Sequence, residues 1–112
     1  MSLANQLTVQ TLKALSLKGY HVWRQNNGGV YDPVKKVFRR NSSTPGVSDI
    51  IGFHKKTGVF VAVEIKAGKD KLSPYQERFL ADIKKAGGFA MVVRSMDDVE
   101  AIYKGVIQFE KA

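Results

Sequence analysis

The sequence predicts an α/β fold in which a mixed β-sheet is flanked by helices, in the order α-β-β-β-α-β-α. Three observations lead to this prediction: a long opening segment without helix breakers, two short β-rich runs joined by a tight turn, and a capped amphipathic segment before another apolar run. A helix between two neighbouring strands of one sheet makes those strands parallel. The last two strands are therefore expected to be parallel.

The first half of the chain contains one helix and short strands. The helix is predicted over residues 3–18, which hold good helix formers until Gly19. A strand is predicted over residues 20–24, and a hairpin around Asp32-Pro33 is predicted within residues 30–40. A loop by composition, NSSTPG, follows.

The second half begins with two strands, predicted over residues 49–53 and 59–66, on either side of the turn HKKTG. Ser73 then caps a helix with an apolar stripe, which Gly87-Gly88 ends. The apolar run FAMVVR forms a buried strand, and Ser95 is predicted to cap a last short helix. Together these elements form one domain over residues 1–112.

Composition restricts the classes of function. The formal charge of +8 favours a polyanionic partner, nucleic acid before membrane, and the alternative is a merely basic soluble protein. The chain has no cysteine, which excludes disulfides and thiolate metal sites. It also has no apolar run of membrane-spanning length and no signal-peptide pattern, so we expect an intracellular protein.

Two carboxylates face each other in the predicted hairpin. If the turn is symmetric about Lys56 and Thr57, Asp49 lies opposite Glu64, with Cβ atoms about 4.5 to 5.5 Å apart. Carboxylates at about 5 Å repel each other by roughly 3 kcal/mol at an effective dielectric constant of about 20. Lys66 shares the face of Glu64, because every second strand residue returns to the same side. The same face carries the apolar residues Ile51, Phe53, Phe60 and Ala62.

A divalent cation between the carboxylates would turn this repulsion into attraction. Carboxylate oxygens suit Mg²⁺, and an amine beside them suits the orientation of an attacking water or the neutralisation of charge on a phosphate. The alternative is a cross-strand salt bridge of Lys66 with Glu64 or Asp49, and a one-residue bulge would undo the pairing. Spacing alone leaves both interpretations open.

The hairpin belongs to a longer ordered set of motifs. In order, these are Gly46-Val47-Ser48-Asp49, Glu64-Ile65-Lys66, Leu72-Ser73 with Gln76, and Val92-Val93-Arg94. The set resembles the PD-(D/E)XK nuclease superfamily and, more narrowly, its virus-type replication-repair nuclease (VRR-NUC) domain. The resemblance implies a restriction-endonuclease-like fold and an endonuclease that hydrolyses DNA phosphodiester bonds with Mg²⁺, for which Mn²⁺ substitutes.

The resemblance also assigns roles to individual residues. Asp49 and Glu64 would ligate the metal together with the backbone carbonyl of Ile65, and Lys66 would act on the nucleophilic water. Gln76 matches a glutamine beside that lysine, although a capping box with Ser73 explains it equally well. Family members commonly carry a glutamate on the first helix, and this helix has no acid. Either Gln6 or Gln10 stands in that position, which favours one-metal chemistry or reduced activity.

Several residues are candidates for contacts with nucleic acid. They are Arg24, Asn26, Arg39, Arg40, Lys69 and Lys71. Arg24 and Asn26 follow the first strand, where an ordinary turn is the alternative. Lys69 and Lys71 follow the E-x-K strand, where phosphate contacts are expected. Trp23 is assigned to core packing in preference to base stacking.

The expected substrate is DNA, with branched or four-way junction DNA as the leading class that the resemblance implies. We expect a homodimer with two active sites, in the cytoplasm of a bacterium or of a phage-infected cell. The rival hypothesis is a catalytically weak nucleic-acid-binding or structural member of the same fold. Cleavage of RNA is a second alternative.

Overall fold

The computed structural model describes residues 1–25, 29–40 and 44–105. Three helices and six strands occur in these ranges. They are α1 (Leu3–Leu17), β1 (Tyr20–Arg24), β2 (Gly29–Asp32), β3 (Val37–Arg40), β4 (Ile50–His54), β5 (Phe60–Ile65), α2 (Pro74–Lys85), β6 (Phe89–Val93) and α3 (Met96–Lys104). None of the helices in these ranges is long and apolar enough to cross a bilayer.

Four strands form the main sheet, in the order β1-β4-β5-β6. β1 pairs with β4 and β4 with β5 in antiparallel orientation, whereas β5 and β6 are parallel. The connection through α2 explains the parallel pair, because a parallel neighbour requires a crossover. The predicted mixed sheet and its order α-β-β-β-α-β-α are confirmed.

β2 and β3 form a separate two-stranded sheet inserted between β1 and β4. The sequence placed the turn of this hairpin around Asp32-Pro33, but the turn lies further along the chain. Asp32 pairs with Val37, which leaves residues 33–36 in the turn, and Lys36 takes a left-handed conformation with φ of 55°. Pro33 suits the beginning of such a turn because its φ is fixed.

The main sheet has two unlike faces, which β5 separates by strict alternation. Val61, Val63 and Ile65 are buried in the larger core cluster, which also contains side chains of α1 and α3. Ala62 is buried on the opposite face beside Leu80 of α2. Alternation therefore puts Glu64 on the face that α2 covers.

α2 begins with the predicted capping box. The Ser73 Oγ accepts a hydrogen bond from the Gln76 backbone N–H at 3.1 Å, and the Ser73 N–H donates to Gln76 Oε1 at 2.8 Å. Pro74 occupies the first helical position, where its missing N–H has no cost. This box fixes the start of α2 and the position of Gln76.

The predicted cap of α3 is corrected by the structure. Ser95 stands at the N-cap position, but its side chain makes no capping hydrogen bond. The carboxylate of Asp98 instead accepts from the Arg94 backbone N–H at 2.8 Å. An acidic side chain in the first turn reaches a free donor there and complements the helix dipole.

Candidate active site

The register of the β4–β5 hairpin decides which side chains meet. Ile50 pairs with Val63 and Phe53 with Phe60, as a turn symmetric about Lys56 and Thr57 requires. Continuing the same register by one step places Asp49 opposite Glu64. The predicted register is thus confirmed over the strands, and both carboxylates lie where β4 begins and β5 ends.

Asp49 is held by backbone groups on both of its neighbouring strands. Its Oδ2 accepts a hydrogen bond from the Ile65 N–H at 2.9 Å, and its carbonyl accepts from the Gln25 N–H at 2.6 Å. The first bond ties the carboxylate to the peptide that joins Glu64 and Ile65.

The loop before Asp49 packs directly against the start of α2. Gly46 has a φ of 75°, and a Cβ atom there would collide with the Tyr75 carbonyl and lie 2.8 Å from the Gln76 nitrogen. Only glycine fits this close approach and conformation. The P-G-x-x-D spacing therefore docks the Asp49 loop against the segment that carries Gln76.

Glu64 is a buried carboxylic acid, with only 2% of its surface exposed. Its Oε1 accepts a hydrogen bond from Gln76 Nε2 at 3.2 Å. Its Oε2 is buried and accepts no hydrogen bond from an N–H or O–H donor of the described residues, so it can bond to the Asp49 carboxylate only through a shared proton. A buried carboxylate oxygen without a partner is costly unless it gains a proton or a cation.

The electrostatic environment of Glu64 favours its neutral form. Burial, followed by hydrogen bonding with Asp49 and the repulsion of its charge, raises the pKa of Glu64 from 4.5 to about 9, and the charge of Lys66 opposes this shift. Two carboxyl groups can share a hydrogen bond only when one of them holds a proton. At neutral pH and without a cation, we expect Glu64 to be protonated.

Gln76 forms the predicted capping box and also contacts Glu64, while its predicted role beside Lys66 stays a prediction. Its Oε1 accepts from the Ser73 N–H in the capping box, and its Nε2 donates to Glu64. The amide oxygen is therefore used by the helix cap, while the amide nitrogen holds one oxygen of Glu64. Gln76 meets the site through Glu64.

Lys66 extends the strand that carries Glu64. Its backbone N–H donates to the Val93 carbonyl at 2.9 Å, which continues the parallel pairing one residue beyond β5. Alternation then places the Lys66 side chain on the face of Glu64, and its charge acts on the pKa of Glu64. The structure thus gathers Asp49, Glu64, Lys66 and Gln76 at one end of the sheet.

The residues present fit a hard divalent cation. Asp49 Oδ1, Glu64 Oε2 and the Ile65 carbonyl are all oxygens, the ligand type that Mg²⁺ prefers. The buried Oε2 accepts no hydrogen bond from a donor of the described residues, so a cation could bind it without displacing such a bond. In the same ranges, no group of three or more His, Cys, Asp or Glu side chains gathers at one place. The donor set is therefore limited to two acids with backbone support.

Gln6 and Gln10, the candidate ligands of the first helix, lie on α1. Gln6 is exposed, and its Nε2 donates to the Met1 carbonyl at 3.2 Å. Gln10 is half-buried on α1, which packs against the sheet face opposite Glu64. A ligand role for Gln6 or Gln10 therefore stays a prediction.

Three of the predicted nucleic-acid contacts, Arg24, Lys69 and Lys71, lie near this end of the sheet. Arg24 is exposed at the end of the edge strand β1, and Lys69 and Lys71 are exposed in the loop after β5. Asn26 lies outside the described residues, as do the side chains of Arg39 and Arg40, whose backbone belongs to β3.

Arg94 organises the basic loop after β5, and it was absent from the predicted site residues. Its Nη1 donates to the carbonyls of Gly68 at 3.3 Å and of Asp70 at 2.6 Å. These bonds fix the segment that carries Lys69. The arginine at the end of Val92-Val93-Arg94 was the available signal, because a side chain at the end of β6 lies beside the end of the parallel β5.

The assignment of Trp23 to the core is wrong, because 41% of its surface is exposed. Tyr20 and Val22 on the same strand pack toward the larger core cluster. Alternation turns Trp23 to the opposite face, at the edge of the sheet. The pattern of β1 alone did not reveal which of its faces would be covered.

Comparison with known families agrees with this geometry. The profile of the VRR-NUC domain matches residues 21–97, from β1 to the start of α3 and well over half of the chain. The comparison with curated proteins returned no match. The matched region contains both carboxylates, Lys66 and Gln76. The chain therefore belongs to the VRR-NUC family of nuclease domains.

Proposed function

We propose that the protein is a Mg²⁺-dependent endonuclease that hydrolyses DNA phosphodiester bonds and selects branched or junction DNA. The observation that carries the proposal is the buried Glu64 Oε2, which accepts no hydrogen bond from a donor of the described residues and belongs to a carboxyl group beside that of Asp49. A proton on Glu64 offsets the repulsion of this pair in the metal-free protein, but the ionised pair that a ligand role requires bears an electrostatic cost until another charge compensates it. A cation provides that compensation.

Asp49, Glu64 and the Ile65 carbonyl would hold the ion. When bound, Mg²⁺ polarises a phosphoryl oxygen and lowers the pKa of water. The chain prepares for this by fixing the ligands in advance: the Ile65 N–H holds Asp49, and the Gln76 amide holds Glu64. Fixed ligands of this kind need little reorganisation during the reaction.

Lys66 is the candidate residue that orients the attacking water and stabilises negative charge on the phosphate. It follows Glu64 on the same face, and its backbone is held by Val93. An ammonium group there would orient the attacking water through hydrogen bonds and stabilise negative charge that develops on the phosphate. Removing it would spare DNA binding, which the other cations of a chain with charge +8 would still support.

Substrate selection and assembly extend the proposal. Exposed Lys69 and Lys71 suit contacts with phosphates beside the site, and Arg94 holds their loop in place. Contacts of this type position the backbone without reading sequence, as a structure-selective nuclease requires. A homodimer would supply two active sites for the two strands of a branched substrate.

A cleavage assay tests the proposal. Linear, flap and four-way junction DNA would be incubated with the full chain in Mg²⁺, in Mn²⁺ and in chelator. We expect metal-dependent cleavage that is lost in Lys66→Ala with DNA binding retained, and unchanged in Lys13→Ala, which alters an exposed lysine on α1. Failure to cut any substrate with either metal would refute the proposal that the protein is a metal-dependent endonuclease.

The second candidate is a catalytically weak nucleic-acid-binding protein of the same fold. It is favoured by α1, which has no acid and packs away from the carboxylates. This candidate predicts that Lys66→Ala leaves function unchanged. An RNA duplex and an RNA hairpin in the same assay test whether the substrate is RNA.

A further inference from the structure

An exposed aromatic patch lies on the same sheet face as the carboxylates. It consists of His21, Trp23, Phe53 and Phe60. Trp23 is 41% exposed, Phe53 40% and Phe60 36%. The His21 ring lies 5.7 Å from the Trp23 ring and 5.3 Å from the Phe53 ring, measured between centroids. These side chains form one continuous surface across three strands.

The patch is exposed because α2 covers only half of this face. α2 packs against β5 and β6, where its Leu80 contacts the small residues Ala62 and Ala90. β1 and β4 form the other half of the sheet, beside β5 and away from β6. An aromatic surface that the protein's own helices leave open marks a binding site more often than a scattered apolar residue does.

The patch is continuous with the carboxylate site. The carbonyl of Asp49 accepts from the Gln25 N–H, and Trp23 precedes Gln25 by one side-chain period, about 6.6 Å along a strand. Trp23 pairs with Ile51, which is likewise one period from Asp49. A nucleotide next to a phosphate at the carboxylates would therefore lie over Trp23.

The size and charge of the patch favour nucleobases over a second copy of the chain. The exposed parts of Trp23, Phe53 and Phe60 amount to roughly 180 to 300 Å², taking about 150 to 250 Å² for each aromatic side chain. A stable dimer needs about 800 Å² from each partner. One or two stacked bases match the smaller area, and a chain with charge +8 attracts the phosphates that accompany them.

We propose that the aromatic patch stacks unpaired bases of the substrate strand beside the carboxylates. The site would then prefer DNA with unpaired nucleotides at the cleavage point, such as a flap, over a continuous duplex. Assignment of the neighbouring site to cleavage rests on the proposed function, whereas the stacking itself is measurable without cleavage.

Tryptophan fluorescence provides the test, because Trp23 is the only tryptophan of the chain. In chelator, oligo(dT) is expected to quench its emission, and a duplex of equal length is expected to quench it less. Affinity for labelled oligo(dT), measured by anisotropy, should fall roughly ten- to a hundredfold in Trp23→Ala and recover largely in Trp23→Phe. Leu17→Ala, which alters an exposed apolar residue on α1, should bind like the unaltered chain.

Three results would overturn the proposal. The first is an affinity of Trp23→Ala for oligo(dT) equal to that of the unaltered chain. The second is unchanged Trp23 emission when the unaltered chain is saturated with oligo(dT). The third is a dimer of the unaltered chain that Trp23→Ala converts to a monomer in sedimentation. The last result would make the patch a contact between copies. The unaltered chain could show quenching by oligo(dT), and Trp23→Ala could bind oligo(dT) more weakly, while the unaltered chain cleaves no DNA. That combination would support stacking and refute the proposed function.

Discussion

Binding of Mg²⁺ to the metal-free protein should release a proton from Glu64. With a pKa of about 9, this side chain is about 99% protonated at pH 7. A cation on the Glu64 oxygens requires the ionised form, so each bound ion should displace about one proton at this pH. The apparent affinity for Mg²⁺ should therefore rise about tenfold for each unit of pH between 6 and 8.

Calorimetry measures this release directly. The protein is titrated with MgCl₂ at one pH in several buffers of different ionisation enthalpy. The slope of the observed binding enthalpy against the buffer ionisation enthalpy gives the number of protons released. We expect about one proton at pH 7 and progressively fewer above pH 9. Glu64→Gln is the matched control and should release none. Tight binding by the unaltered chain without proton release would show that Glu64 is already ionised, and would refute the protonated pair.

Three further predictions concern stability and the supports of the site. In metal-free solution, the raised pKa of Glu64 contributes stability that is fully present below pH 4.5 and is lost as the pH rises toward 9. The free energy of unfolding, measured by urea denaturation at several pH values, should accordingly fall with pH more steeply in the unaltered chain than in Glu64→Gln. The difference in slope should reach about 1.4 kcal/mol per pH unit. Ser73→Ala should cost about 1 kcal/mol of stability with little effect on cleavage, whereas Gln76→Ala should lose both the cap and cleavage rate. Gly46→Ala should destabilise more than Gly68→Ala, which also has positive φ but leaves room for a Cβ.

Each of these predictions has a result that contradicts it. Parallel pH profiles for the unaltered chain and Glu64→Gln would mean that Glu64 has an ordinary pKa. Equal cleavage rates for Ser73→Ala and Gln76→Ala would limit Gln76 to its capping role. Equal melting temperatures for the two glycine variants would show that the Asp49 loop does not pack against α2.

The part of the site that depends on local pattern was predictable from sequence. The turn between β4 and β5 is tight, so its symmetry about Lys56 and Thr57 fixed the register and with it the opposition of Asp49 and Glu64. The Ser73 cap followed from a residue pattern within one helical turn. Interactions between residues close in sequence, or across one tight turn, leave few alternative arrangements.

The rest depends on how the layers pack, which single-strand patterns do not determine. The burial of Glu64 and its bond to Gln76 exist because α2 lies over β5. The exposure of Trp23 has the converse cause, since α2 leaves β1 open. In each case an alternating or periodic pattern defines two faces without identifying their neighbours.

If the proposed function holds, the double use of Gln76 makes cleavage depend on a folded α2. The same side chain closes the first turn of α2 through Ser73 and holds Glu64 through its amide. If that turn frays, the amide leaves Glu64 and the ligand loses its orientation. On the proposed function, a newly synthesised or partly unfolded chain would therefore lack a working centre until α2 has folded.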